Sequence, residues 1–170
     1  RKMKMSFDRQ LFIPSKKGYV KGENRPKVDC ILCEVYKNNP EIDNLVIWKN
    51  NVVAASVNLY PYTSGHVLIF PVRHVTETKQ LNEEEVMQMH KLQVFTIDVL
   101  KELYNPGGFN IGYNMGYSSG ASIEHLHQHI VPRYQRELGF VDIISGTKIF
   151  IEDPRDTMKN LLKAFKDFKI

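Results

Sequence analysis

"EHLHQHIVPRY", residues 124–134, places a histidine at every second position: His125, His127 and His129. The chain contains six histidines, so this short stretch holds half of them. Alternate residues of a β-strand lie on one face, so the pattern predicts a strand that presents three imidazoles together. Three imidazoles on one face indicate metal ligation, nucleophilic catalysis, or a mixture of the two.

A loop rich in glycine and serine comes directly before the histidines, in "NMGYSSGAS" (114–122). Gly116 and Gly120 would let backbone amides approach an anion, and Asn114 and Ser122 would add side-chain donors. Such a loop alone is equally typical of a plain surface turn. Next to imidazoles, which attack phosphorus and form N-phosphoryl intermediates, it favours a phosphate-bearing substrate.

The two cysteines, Cys30 and Cys33, form a Cys-x-x-Cys pair in "CILC". This spacing is typical of a redox-active dithiol and also of one half of a zinc site. Two free thiols without a shared role are a third interpretation. The pair by itself does not distinguish among these possibilities.

The rest of the chain has the pattern of an α+β domain. A long helix is expected over 81–104, because Asn82 and Glu85 resemble a capping box and three glutamates fill its first turn. Strands are expected over 44–50, 51–60, 65–72, 109–116 and 124–133, the last ended by Pro132, and a C-terminal helix over about 154–168. This order predicts a mostly antiparallel five-stranded sheet with helices on one side.

Charge is distributed unevenly along the 170 residues. The first 27 residues hold nine Lys and Arg against two Asp and Glu, although the whole chain has a net charge of only +4. We therefore expect a basic arm over 1–27 and a single catalytic domain over 28–170, without a specific nucleic-acid partner. No apolar stretch has the length of a membrane span, and the first residues lack a secretory h-region, so a cytoplasmic protein without a membrane partner is expected.

These motifs together resemble those of the histidine-triad (HIT) nucleotide-binding family. "HLHQHIV" (125–131) resembles the family signature, "NLYPYTSGHVLIFPVRHV" (58–75) its second characteristic stretch, and "YNMGYSSGASIEH" (113–125) its phosphate loop. The likeness covers about residues 28–134 and implies a HIT-like fold. The segment 139–162, with the basic arm, resembles the branch that contains bacterial diadenosine tetraphosphate phosphorylases.

The resemblance implies a role for each histidine of the site. His127 would attack the α-phosphorus of a nucleotide, His129 would donate to a non-bridging phosphate oxygen, and His66 would support the triad of histidines. The expected nucleotide and phosphate contacts are Asn58, Asn114, Gly120 and Ser122. Gln128 departs from the family pattern, which has a hydrophobic residue there, and should face away from the histidines.

The resemblance also implies a metal site. Zinc-bearing relatives use a Cys-x-x-Cys pair, the histidine of Pro-x-x-His, and the first histidine of the triad. The matching residues here are Cys30, Cys33, His74 and His125. Two thiolates and two imidazoles complete a tetrahedral zinc shell and leave no position for substrate, so the zinc would be structural.

The expected function is cleavage of dinucleoside polyphosphates, such as diadenosine tri- or tetraphosphate, at the α-phosphate through a nucleotidyl-His127 intermediate. The acceptor is phosphate or water, and the branch likeness slightly favours phosphate, for which Arg133 and Arg136 could supply charge. Three alternatives stay open: a nucleoside phosphoramidase acting on adenylated amines, a slow-turnover nucleotide sensor, and a zinc-stapled interaction module that binds no nucleotide. Relatives are commonly two-fold dimers, so a homodimer is expected.

Overall fold

The structure is a computed structural model that describes residues 26–135 and 152–170. Its helices are α1 (Ile31–Tyr36), α2 (Glu83–Tyr104) and α3 (Pro154–Phe165), and its strands are β1 (Val46–Lys49), β2 (Val53–Val57), β3 (Val67–Pro71), β4 (Gly108–Tyr113) and β5 (Gln128–Arg133). Short 3-10 turns occupy Thr78–Gln80 and Tyr117–Ser119. The predicted α+β class, the long helix and the C-terminal helix are confirmed. The expectation that all helices lie on one side of the sheet was wrong, because α1 packs on the face opposite α2 and α3.

The five strands form one sheet in the order β1-β2-β3-β5-β4, and every neighbouring pair is antiparallel. All residues of β2 and β3 are buried because the sheet is covered on both faces at its centre. Val67 and Ile69 face the core formed with α2 and α3, whereas Ala54 and Phe70 face a smaller cluster with α1. Burial on both faces explains why this part of the sequence is a continuous apolar run.

Helix α2 begins at the predicted capping box. The Glu85 backbone N–H donates to Asn82 Oδ1 over 2.9 Å, and the Asn82 backbone N–H donates to Glu85 Oε2 over 2.9 Å. The helix buries residues at helical spacing, among them Met89, Leu92 and Leu100, against the sheet. It ends at Asn105, whose φ of 46° is a left-handed cap.

Helix α3 packs on β1, β2 and α2 through Leu161 and Phe165. Beyond its last turn, Phe168 stacks on Phe95, with ring centroids 3.9 Å apart. The Trp48 indole N–H donates to the Phe168 carbonyl over 3.1 Å, so the only tryptophan anchors the C-terminal segment to β1. Phe168, near the C-terminal end, thus packs against the core of the domain.

The prediction that one strand begins at Glu124 was wrong, because β5 begins at Gln128. Pro71, at the end of β3, has no N–H to donate to a longer β5, and β4 ends at Tyr113, opposite Gln128. His125 and His127 therefore precede the strand, and only His129 of the three histidines lies in it.

The predicted end of this strand at Arg133 is confirmed, although Pro132, which was expected to end it, lies inside β5. The Pro132 carbonyl accepts from Thr63 Oγ1 over 2.9 Å, so this edge of the residue faces the turn before β3. No strand hydrogen bond is lost there, since β3 begins at Val67, which lies opposite Ile130.

Two sequence predictions lie largely outside the described residues. Of the basic arm over 1–27, only the last two residues are described. Arg136 and most of the segment 139–162, which suggested the phosphorylase branch, also lie outside the described residues. Division into an arm and one domain over 28–170 stays a prediction. Within 26–135 and 152–170, no helix has the length and apolarity needed to cross a bilayer.

Candidate functional site

A narrow cavity of about 180 Å³ lies between α1, the ends of β2 and β3, and the segment that leads into β5. One end is apolar and is lined by Leu32, Val35, Ile42 and Leu45. The other end contains all but one of the residues expected to act on or bind a nucleotide: Asn58, Asn114, Gly120, Ser122, His127 and His129. An apolar slot that leads to convergent polar groups has the form of a nucleoside-phosphate site.

His127 is buried and held in one tautomer. Its Nδ1 lies 2.7 Å from the backbone carbonyl of His125. A carbonyl only accepts, so Nδ1 carries the proton and Nε2 keeps its lone pair. Burial lowers the pKa of His127, although its hydrogen bond to the His125 carbonyl opposes this. The imidazole is therefore neutral at neutral pH and has the protonation of a nucleophile.

A chain of hydrogen bonds orients His129. The Tyr62 backbone N–H donates to His66 Nδ1 over 3.1 Å, which places the proton of a neutral His66 on Nε2. His66 Nε2 lies 2.9 Å from His129 Nδ1 and donates to it. The proton of His129 is consequently on Nε2. The Asn114 atom 3.2 Å from it is Nδ2, which only donates, so the Asn114 amide must be turned to present Oδ1 to that proton. His129 thus presents an N–H donor towards Asn114 and the cavity.

His66, the remaining residue expected at the site, lies behind the cavity wall and is fully buried, with no exposed surface. Its Nδ1 also lies 3.3 Å from the Asn58 side-chain amide. His66 can therefore orient His129 without contacting a nucleotide, which agrees with a supporting position. Gln128 is buried and lines neither of the two cavities described for this protein, as expected for a residue that faces away from the histidines.

The loop before the histidines uses two glycines in the left-handed region. Gly116 and Gly120 have φ values of 79° and 80°, and they flank the 3-10 turn Tyr117–Ser119. The Ser119 hydroxyl donates to the Gly116 carbonyl over 2.7 Å and closes this turn. Gly120 and Ser122, which follow this turn, line the cavity together with Asn58. Both glycines are needed because other residues adopt such φ values only with strain.

The two cysteines and two histidines meet in a cluster next to the cavity. The four ligand atoms, one each from Cys30, Cys33, His74 and His125, lie within 4.8 Å of one another. Cys30 Sγ and Cys33 Sγ lie 3.4 Å and 3.5 Å from His125 Nδ1, and Cys33 Sγ lies 3.5 Å from His74 Nδ1. In tetrahedral zinc sites the sulfur–nitrogen separation is about 3.6 Å, given the usual bond lengths. The cluster therefore fits a zinc ion.

Neighbouring groups orient two of these ligands. The second ring nitrogen of His125, Nε2, donates to the Pro71 carbonyl over 2.9 Å, which leaves the Nδ1 lone pair towards the cysteines. Arg73, adjacent to His74, donates from Nε and Nη2 to the two oxygens of Glu85 over 3.0 Å and 2.8 Å. The start of α2 thereby fixes the segment that carries His74.

The chemistry of the cluster also favours a bound cation. Burial and the neighbouring Cys30 thiol raise the pKa of Cys33 to about 11, so a second thiolate is unfavourable there without added positive charge. Burial lowers the pKa of His125 to about 4, and its imidazole is therefore neutral and able to ligate. A divalent cation would compensate the charge of two adjacent thiolates.

Several lining residues had no signal in the sequence. Tyr62 stacks on His129, with centroids 5.8 Å apart, and lies 4.8 Å from the His66 ring. Asp43 lines the cavity and is paired with Arg155 of α3 over 2.7 Å. Each depends on a turn or on a contact between distant segments, which no local pattern of residues indicates.

The sequence profile of the HIT domain matches residues 39–136. A curated relative, the AP-4-A phosphorylase of Mycobacterium tuberculosis, is 39% identical over 120 residues, which cover 70% of this chain and 62% of that protein. The bis(5'-nucleosyl)-tetraphosphatase [asymmetrical] of Schizosaccharomyces pombe is 28% identical over 111 residues, covering 65% and 61% of the two chains. The matched segments span less than two thirds of the length of both relatives.

Solved structures share the fold. The crystal structure of a zinc-bound histidine triad family protein from Mycobacterium smegmatis aligns with a TM-score of 0.66 and 21% identity. The alignment covers 81% of this chain and 94% of that one. The five antiparallel strands and the helices packed on them are therefore those of the same architecture.

Proposed function

The chain belongs to the HIT domain family, and on that basis we propose that it cleaves dinucleoside polyphosphates at the α-phosphate through a nucleotidyl intermediate on His127. The observation that carries the proposal is the tautomer of His127. Its Nδ1–H is held by the His125 carbonyl, so the lone pair of Nε2 is available at the polar end of the cavity. The activities named for the two curated relatives support a dinucleoside polyphosphate as the substrate.

The reaction then takes two displacements. His127 Nε2 forms a bond to the α-phosphorus while the bond from phosphorus to the bridging oxygen breaks, and the electron pair leaves with the released nucleoside polyphosphate. An oxygen of the acceptor next attacks the same phosphorus, the N–P bond breaks, and its electron pair returns to Nε2. Each step is easier than direct attack by the acceptor.

Donors around His127 suit the charge that develops on the phosphoryl group. His129 Nε2–H and the Asn114 amide lie at the polar end of the cavity, and Ser122 and Gly120 lie on the loop beside it. Fixed donors beside the buried His127 and His129 stabilise a transition state more than they would in water. The apolar end of the cavity would take the nucleoside.

The test of the function is incubation of the purified protein with diadenosine tetraphosphate, with and without inorganic phosphate, followed by separation of the products. We expect ATP in both cases, with AMP as the second product in water and ADP in phosphate. On the phosphorylase interpretation, ADP should rise at the expense of AMP and saturate with phosphate concentration. AMP as the sole second product in millimolar phosphate would make the protein a hydrolase. Nucleotide binding without product release would instead identify a sensor.

We also propose that the cluster of Cys30, Cys33, His74 and His125 binds a structural zinc ion. The ion would supply charge compensation for the two thiolates and would join α1 to the segments before α2 and β5. All four protein ligands are present, so no coordination position is left for a nucleotide. The zinc-bound relative of known structure supports the choice of metal.

A homodimer is the proposed oligomeric state. Strand β4 lies at the edge of the sheet with Ile111 42% exposed, and α2 exposes Val86, Met87 and Val94 by about half. Edge strands with exposed apolar residues invite pairing, and a second copy could cover both features.

Light scattering tests this proposal at micromolar concentration. We expect a dimer for the unmodified protein and a monomer for Ile111→Lys, because a charge on the β4 edge would be buried in the interface. Leu162→Lys, on α3, is the matched control, since Leu162 is 41% exposed and lies away from β4. A monomeric unmodified protein would exclude the dimer.

A further inference from the structure

A second cavity of about 500 Å³ lies over β4 and β5, next to the first. Its lining includes Tyr62, Asn110, Gly112, Asn114, His129 and Arg133. Ile111 also belongs to the lining and is the residue that the proposed dimer would cover. Its volume is within the range of sites that hold a nucleotide-sized ligand. The residues that implied a nucleotide site in the sequence account for only two of its lining residues, Asn114 and His129.

The two cavities share one wall. Tyr62, Asn114 and His129 line both, whereas His127 lines only the first. A substrate with its nucleoside in the apolar end of the first cavity would place its α-phosphate between His127 and the shared wall. The remainder of that substrate would extend past His129 into the second cavity.

The geometry of phosphoryl transfer points the same way. The attacking and leaving atoms lie roughly in line through phosphorus, so the leaving group departs on the side opposite His127 Nε2. We propose that the second cavity is the leaving-group subsite, which holds the nucleoside polyphosphate released when His127 attacks. This inference rests on the function proposed above and adds the position and the recognition of the second half of the substrate.

The lining of the second cavity matches an anionic leaving group with an aromatic base. Arg133 Nη1 donates to Asn110 Oδ1 over 2.7 Å, which holds the guanidinium over the sheet. A planar guanidinium with several N–H donors is well suited to phosphate oxygens. Tyr62, 39% exposed, offers the edge of a ring already stacked on His129, against which a base can pack.

A glycine keeps the floor of the second cavity open. Gly112 lies opposite His129 in the register of β4 and β5. A Cβ built on Gly112 would have no heavy atom of the described residues within 4 Å, so a side chain there would project into space and not into the fold. The absence of a side chain beside the catalytic histidines leaves room for a bulky group.

The same cavity must also admit the acceptor. The second displacement is in line as well, so phosphate or water approaches phosphorus from the side that the leaving group has vacated. Release of the nucleoside polyphosphate therefore precedes entry of the acceptor, and the two compete for Arg133. Residues of β4 and β5 that line this cavity would therefore influence whether phosphate or water is the acceptor.

Two substrates with the same adenylyl group test the subsite: diadenosine tetraphosphate, and the p-nitrophenyl ester of AMP, whose leaving group has no phosphate. The quantity measured is the ratio of kcat/KM for the first substrate to that for the second. We expect Arg133→Gln to lower this ratio about 10-fold or more, since a charge-assisted contact to the leaving group is lost. Arg133→Lys should recover part of the loss.

Gly112→Val should lower the ratio as well, because its side chain would occupy the floor of the subsite. Lys101→Gln, which removes an exposed cation of α2, is the matched control and should keep the ratio of the unmodified protein. Unfolding of a variant would reduce turnover of both substrates by the same factor and would leave the ratio unchanged. A lower ratio therefore indicates loss of the subsite and not unfolding. Turnover of both substrates with unchanged ratios in both variants overturns the subsite alone. An unmodified protein that turns over neither substrate overturns the proposed function, and the subsite with it.

Discussion

Replacement of His127 with alanine is expected to reduce kcat for diadenosine tetraphosphate by on the order of 10⁴-fold or more. Loss of a covalent nucleophile removes the two-step route itself, and such losses are typically of this size. Binding of the nucleotide should be largely retained, because the apolar end of the cavity and the Gly120–Ser122 loop do not involve the His127 side chain. Steady-state kinetics and equilibrium binding to the same preparation measure the two effects.

Two further histidine variants serve as comparisons for His127→Ala. His66→Ala should cost less activity than His127→Ala, because His66 orients His129 through one hydrogen bond of 2.9 Å and does not attack. His90→Ala is the control for loss of a histidine, since His90 is exposed on α2 and lines neither described cavity. A His127→Ala protein that keeps most of its activity would contradict the mechanism.

Replacement of Cys30 with serine is expected to abolish zinc binding and to lower the melting temperature by on the order of 10 °C. The free energy of metal binding to a structural site contributes to folding, and a zinc ion here would join three segments that are distant in sequence. Elemental analysis of the unmodified protein should give about one zinc per chain, and the variant should give none. Differential scanning calorimetry measures the change in stability.

A pair of histidine variants separates loss of the metal from loss of packing. His74→Gln should release the metal, because its Nδ1 lies 3.5 Å from Cys33 Sγ in the cluster. His90→Gln makes the same chemical change at an exposed position of α2 and should leave both metal content and melting temperature unaltered. Purified protein with no metal and two freely titratable thiols would contradict the zinc proposal.

Local patterns were sufficient to predict most of the fold. The capping box at Asn82 and Glu85 predicted the start of α2, and both of its hydrogen bonds are present. The alternation of histidines, by contrast, predicted a strand that begins too early, at Glu124. Periodicity in a sequence does not indicate whether a neighbouring strand is available for hydrogen bonding. The limit is set by Pro71, on a strand more than fifty residues earlier.

The sequence likewise predicted some features of the site but not others. The motifs brought together the residues around His127 and the four members of the cysteine–histidine cluster, because each motif is short and its spacing is fixed. The orientation of His127 by a backbone carbonyl, the stacking of Tyr62 and the position of Arg133 beside a second cavity depend on three-dimensional contacts. Every residue has a backbone carbonyl, so residue identity cannot indicate which carbonyl acts as an acceptor.

His125 has two functions that different parts of the residue perform. Its imidazole belongs to the cysteine–histidine cluster, and its carbonyl accepts from His127 Nδ1. Any amino acid supplies a carbonyl at that position, so the imidazole of His125 can be replaced without altering the atom that orients His127. Loss of the cluster is therefore expected to lower stability without removing the atom that orients His127. The cysteine–histidine cluster and His127 are neighbours in the sequence, yet they depend on different atoms of His125.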